Sequence, residues 1–428
     1  MNLIKSLPTG VEYELRSERK VSSNVCFEGN RFERIDSADQ TSQAARVLYE
    51  GKLSTAGGSR PGSGDELIKQ AADMVKYGSP YNIPFAGKTE ITPLNLIDNE
   101  NLTSKQMIEM MGSFIEELRS LDSRLVAGAT LGSSFTDVSL KTSNGFDNSY
   151  SKSVWFCEAF LSLVQGDDLL NLYEFKRDIR PSFDLSQIKK TLGQKLEYAK
   201  EVVTMEAGSY PVIFAPGEVG NIINPITASL NGQAIYRKVS PWSDKLGQKL
   251  LDKRFTLTDD GSLDKSWTSK PFDLEGTPTR SYAMVQNGCL NDIVLDRKVA
   301  DQLGKESSGN ASATGPTPNY LQIESGNKAL TELISSIDYG LLIDDTMGAW
   351  SGNPFSGIVT GTISLGFKIE KGKIVGRIKD SMFTINAFEH FRKHFIDYTV
   401  EREQTESMFF AAGNFPYILL DEVVISTD

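Results

Sequence analysis

A chain of 428 residues exceeds what one hydrophobic core usually covers, so two or three domains are expected. Hydrophobic residues make up 39% and charged residues 24%, ordinary proportions that exclude a disordered or fibrous class. The formal net charge of −11 argues against a broad electrostatic contact with nucleic acid or anionic lipid, because phosphate binding needs clustered Lys and Arg.

Residues 1–10 contain one Lys and no apolar signal-peptide core, and no stretch approaches the roughly 18 apolar residues that span a bilayer. A cytoplasmic location is expected. Short strands are predicted at 11–16, 22–28, 31–37 and 45–49, the middle two joined by a hairpin at Gly29-Asn30. A breaker cluster at 57–62 precedes helical spacing over 65–76. At 103–123 a helix is predicted with Met107, Met110, Met111, Phe114, Ile115 and Leu118 on one stripe, which packs a core more readily than it forms a promiscuous binding groove. Strands at 125–140 and 151–163 flank a turn at Asn144-Gly145, and a connecting helix follows at 186–204.

Beyond a boundary near 205–210, strand-like runs dominate, with hairpin signals at Asn287-Gly288 and Lys371-Gly372-Lys373 and a breaker-rich loop at 307–318. The expected fold class is therefore α+β: an N-terminal domain over 1–205 with an antiparallel sheet, and a β-rich C-terminal domain over 206–428 with a few helices.

The chemistry is read mainly by elimination. Cys26, Cys157 and Cys289 are widely spaced with no CxxC, which suits reduced thiols packed as small hydrophobes. His390 and His394 are the two histidines, four residues apart. Phe391 stands where a metalloprotease helix carries its Glu base, and Arg392 and Lys393 would repel a cation, so a solvated helix face is expected there. No GxSxG elbow, Walker loop or GxGxxG turn occurs at a strand-to-helix junction. Paired carboxylates remain open as an alternative chemistry, although no acid/base pair stands out.

Residues 210–229 read as an apolar strand, a Pro-Gly turn and the opening of a helix. This segment resembles the TldD/PmbA family, also called modulators of DNA gyrase, whose TldD branch carries a zinc-binding His-Glu-x-x-x-His on that helix. Here the two ligand positions are Asn224 and Ser229 and the Glu position is Pro225, a set that suits neither zinc nor proton transfer. The TldD branch also draws a ligand from a Cys near the C-terminus, and no Cys follows Cys289 here. Further blocks carry the resemblance: Asp244-Lys245-Leu246-Gly247, the run from Ser269 to Arg280, Leu295-Asp296-Arg297, Ser308-Gly309-Asn310-Ala311, Pro318-Asn319-Tyr320, Asn353-Pro354 and the final Gly413 to Pro416. Ser143-Asn144-Gly145 is the clearest agreement in the first half. Turn chemistry alone would also explain Gly276, Pro278, Gly288 and Pro354.

The resemblance implies a TldE (PmbA)-like, metal-free subunit that pairs with a zinc-bearing TldD-like partner in a bacterial or archaeal metalloprotease degrading or maturing peptides. No catalytic, cofactor or metal residue is then expected in this chain, and zinc belongs to the partner. A homodimeric peptide-binding or scaffold protein without proteolysis is the alternative.

Overall fold

The computed structural model describes residues 7–166, 168–406 and 410–427. The chain forms two compact units, one from Met1–Lys189 with Ser262–Thr279 and the other from Lys190–Gly261 with Arg280–Asp428.

The first unit is built on an antiparallel sheet of β1 (Glu12–Glu28), β2 (Arg31–Tyr49), β3 (Lys52–Gly58), β4 (Ser79–Pro80), β5 (Val126–Thr142), β6 (Asp147–Gln165) and β7 (Asp168–Asp178). Their order is β4-β3-β2-β1-β5-β6-β7. The four short strands expected before residue 50 are two long ones of 17 and 19 residues. Their polar middles hid this, because Arg16 to Val21 pair with Asp39 to Ala44 and are largely open to water, so no apolar alternation marks them. The turn between them has positive φ at Gly29 (57°) and Asn30 (66°), as a two-residue hairpin of matching twist requires.

Helices α1 (Gly64–Met74) and α2 (Ser104–Arg119) pack on this sheet. Helix α2 starts in a capping box: the Gln106 amide N–H donates to Thr103 Oγ1 (3.3 Å) and the Thr103 N–H donates to Gln106 Oε1 (2.9 Å). Met107, Met111, Phe114, Ile115 and Leu118 are buried, so the methionine stripe is core. Burial of each such side chain stabilises by about 1.5–3 kcal/mol.

The segment Ser262–Thr279 belongs to this first unit, whereas the sequence alone assigned it to the second domain. Phe272 is the reason. It packs edge-on against Phe146 (5.3 Å between centroids) and Tyr150 (5.2 Å) in a cluster with Ala86 and Leu140. Such a long-range insertion leaves no composition shift at its ends.

Helix α3 (Leu185–Tyr198) leads from one unit to the other. In the second unit, β8 (Gly208–Phe214) pairs parallel with Tyr339–Met347 and antiparallel with Gly413–Thr427. Ile358–Glu370 and Ser381–Asn386 complete a closed ring of five strands. Leu321–Ile323, Leu257–Asp260 and Ser281–Gln286 extend the sheet outward from Gly413–Thr427. Helix α4 (Pro216–Ser229) follows β8 directly and buries Val219, Ile222, Ile223 and Ile226 in the same core as Val212, Phe214, Ile343 and Ile418. The fold is α+β with a β-rich second unit. No helix of the described residues is long and apolar enough to cross a membrane.

Candidate functional site

Helix α4 carries the sequence-flagged positions. It opens with Pro216 at its first turn, where a missing N–H costs nothing, and runs on through Pro225. Pro225 cannot donate to the Asn221 carbonyl, yet the helix continues, because its apolar face is locked into the core.

The structure separates the two positions aligned with metal ligands. Asn224 is half-buried and lines a cleft of about 390 Å³ with Gly220, Thr227, Asn231, Pro318 and Phe410. Ser229 is fully buried, and its Oγ has no hydrogen-bond partner; its carbonyl accepts from Ser240 Oγ at 2.7 Å. Five residues apart on a helix is about 140° of rotation, so the carboxamide faces the cleft while the hydroxyl is sunk in the interior. Pro225 is buried between them. An amide, an imino acid and a lone hydroxyl do not fit a zinc ion, which takes imidazole, thiolate or carboxylate. Among the described residues, no three His, Cys, Asp or Glu side chains gather closely enough to hold a metal.

The histidine pair differs from expectation. His390 is buried rather than on a solvated face, and residues His390–His394 form a π-helical turn. His390 Nδ1 lies 2.8 Å from the Asn386 carbonyl oxygen and Nε2 lies 3.2 Å from the Glu422 carbonyl oxygen, so the ring N–H of either neutral tautomer has a backbone acceptor. Burial holds its pKa below the ordinary histidine value. The ring therefore serves as a strut between the turn and the last strand.

Sequence reasoning missed Glu218, in the first turn of α4. It is buried, and burial pushes its carboxyl up to about 7 although Thr346 and Asn221 hydrogen-bond to it. A lone acidic residue after a Pro-Gly turn gives no signal of this, because the strand it contacts lies 128 residues on.

The loop blocks that carry the family resemblance become scaffold. Asp259 is fully buried and accepts from Asn310 Nδ2 (2.6 Å) and from the amides of Asn319 (2.7 Å) and Tyr320 (2.9 Å). Tyr282 Oη donates to Asn310 Oδ1 (3.0 Å). Burial raises the Asp259 carboxyl against those bonds. The run from Ser269 to Arg280 folds around Asp273, whose Oδ1 accepts the amides of Glu275 and Thr277, both at 2.9 Å. Gly276 (φ 76°) and Gly288 (φ 77°) occupy left-handed turns where a Cβ would lie 3.1 Å from Ala86 Cβ and 2.3 Å from the Leu251 carbonyl oxygen. Both glycines are thus turn residues with no room to spare.

The site is thus a strand, a Pro-Gly turn and a helix that packs on the closed ring of strands. Residues 207–427 match the PmbA/TldA metallopeptidase C-terminal domain, and the chain belongs to the TldD/PmbA family. Among curated relatives it is 32% identical over 243 residues to the metalloprotease PmbA homolog of Haemophilus influenzae, covering 54% of this chain and 51% of that protein. It is 26% identical over 264 residues to an uncharacterized Methanocaldococcus jannaschii protein, covering 59% and 60%. The chain thus matches between half and three-fifths of these relatives' lengths, whereas a 23% identical metalloprotease of Methanothermobacter thermautotrophicus aligns over 91% of this chain and 88% of its own. In fold it is similar to TldE from Thermococcus kodakarensis (TM-score 0.87, 24% identity, 97% and 96% coverage). A Thermotoga maritima protein described as a modulator of a DNA gyrase is equally similar in fold (TM-score 0.87, 20% identity, 97% and 96% coverage).

Proposed function

We propose that this chain is the metal-free, TldE-like subunit of a TldD-type zinc metalloprotease, giving structure and peptide binding to a complex that degrades or matures peptides. The observation that carries this is the composition of α4: Asn224 at the cleft, Pro225 in the helix body and Ser229 buried without a partner. Chemistry that needs an electrophile must then come from a partner with imidazole ligands on the matching helix. The cleft beside Asn224 offers a carboxamide, which both donates and accepts, beside apolar walls; an extended peptide held through main-chain hydrogen bonds suits that surface. No cofactor is expected in this chain, and a cytoplasmic location fits a partner-dependent peptidase.

The test mixes the purified chain with a zinc-bearing TldD-type protein of the same organism and follows cleavage of an unstructured peptide. Cleavage by the pair and by neither alone is expected. Cleavage by this chain alone, at the rate of the pair, would overturn the reading.

A further inference from the structure

The π-helical turn that buries His390 and Phe391 also throws Arg392 and Lys393 outward, beside a second cleft that shares no lining residue with the one at Asn224. Turns of this kind arise by forcing an extra residue into a helix and recur at functional sites. The cleft holds about 300 Å³, at the low end of the roughly 300–1,000 Å³ of small-molecule sites, room enough for one end of a chain. Its apolar wall is Trp242 against Phe388, with ring centroids 4.9 Å apart, continued by Leu250.

Its charged rim is unbalanced. Lys245, Arg392 and Lys393 face one carboxylate, Glu389, and Glu389 already pairs with Lys393 at 2.8 Å. Lys245 and Arg392 make no ion pair among the described residues. Asn386 uses Oδ1 to accept the Glu389 amide (3.2 Å), which leaves its Nδ2 donors free. A chain of net charge −11 thus keeps two unneutralised cations and an amide donor beside an aromatic wall.

We propose that this cleft binds the free carboxylate end of a peptide whose last residue is apolar or aromatic, a docking site distinct from the α4 cleft. The identification of the ligand as a peptide rests on the peptide-handling function proposed above. A planar guanidinium pairs with a carboxylate through two parallel N–H donors, and the Trp242 and Phe388 rings cover the apolar side chain. An aryl phosphate, an anion carried on a ring, is the competing occupant of the same cations and rings.

Calorimetry on the full chain without any partner tests this, with acetyl-Ala-Phe as the free acid, its C-terminal amide, and phenyl phosphate as probes. The acid should bind at least about tenfold more tightly than the amide or phenyl phosphate, and more weakly as salt is raised. Arg392→Gln and Lys245→Gln alter exposed side chains, so folding is kept, and together they should weaken the acid by about tenfold or more. Equal binding of acid and amide, tighter binding of phenyl phosphate, no binding at millimolar peptide, or full affinity in the double variant would each overturn the site. Because the assay needs no proteolysis, cleavage by the pair without peptide binding here sinks only this site. Binding here without cleavage by the pair sinks only the proposed subunit role.

Discussion

Glu218 and Thr346 are joined by two hydrogen bonds: the Thr346 amide donates to Oε1 (3.1 Å) and the Thr346 hydroxyl lies 2.6 Å from Oε2. This pair fastens the first turn of the motif helix to the neighbouring strand, deep in the second unit. Burial is the larger influence, and it lifts the folded pKa to about 7 from an ordinary 4.5. The folded chain therefore holds this proton more tightly than the unfolded chain. Its contribution to stability is complete below pH 4.5 and is lost as the pH rises through about 7. The ceiling on that loss is about 3 kcal/mol, from ~1.4 kcal/mol per pKa unit. Glu218→Gln should flatten the fall in denaturation midpoint over this window and raise the midpoint above pH 7. A variant curve parallel to the native one would contradict the assignment.

Asp259 makes a stronger structural demand. It holds Asn310, Asn319 and Tyr320 at once, so Asp259→Ala strands buried donors and should cost about 3–5 kcal/mol. Urea unfolding would show the loss. A change below ~1 kcal/mol would mean that the network is not what joins these loops.

Ser229 predicts the opposite sign. A buried hydroxyl with no partner costs about 1–3 kcal/mol to keep, so Ser229→Ala should leave stability unchanged or raise it. Marked destabilisation would reveal a hydrogen bond that the hydroxyl makes in solution.

Gly288→Ala should be worse than Gly276→Ala. Both pay about 1–2 kcal/mol for a left-handed backbone, but the new Cβ meets rigid backbone oxygen at 2.3 Å in the first case and side-chain carbon at 3.1 Å in the second. Thermal midpoints of the two variants decide the order.

Much of the second unit was legible because its strands are apolar and its turns are spelled out: Asn287-Gly288 and Lys371-Gly372 adopt the left-handed pairs expected of them. The α2 stripe was legible for the same reason, a clean helical period closed by Thr103 and Gln106. What stayed hidden was long-range. The union of the β1 pieces depends on polar residues whose partner strand, not their pattern, keeps them extended. Strands at Asp168–Asp178, Ser381–Asn386 and Phe395–Thr405 went unrecognised because Leu169, Tyr173, Met382, Ile396 and Val400 stand on their open faces while Glu174 and Ser381 are buried, which breaks the alternation. At the candidate site, Asn224, Pro225 and Ser229 could be located by motif alignment, but the split between a cleft-facing amide and an interior hydroxyl needed the rotation of α4. Glu218 and the Arg392 cleft required contacts between segments more than a hundred residues apart.

The most direct test of the account is the metal content of the isolated chain, measured by mass spectrometry after purification in zinc and dialysis. Less than about one-tenth of an equivalent is expected, unchanged in Asn224→Ala, because a carboxamide and an unpartnered hydroxyl on opposite sides of one helix offer zinc too little. One tightly held zinc per chain, lost on Asn224→Ala, would contradict it.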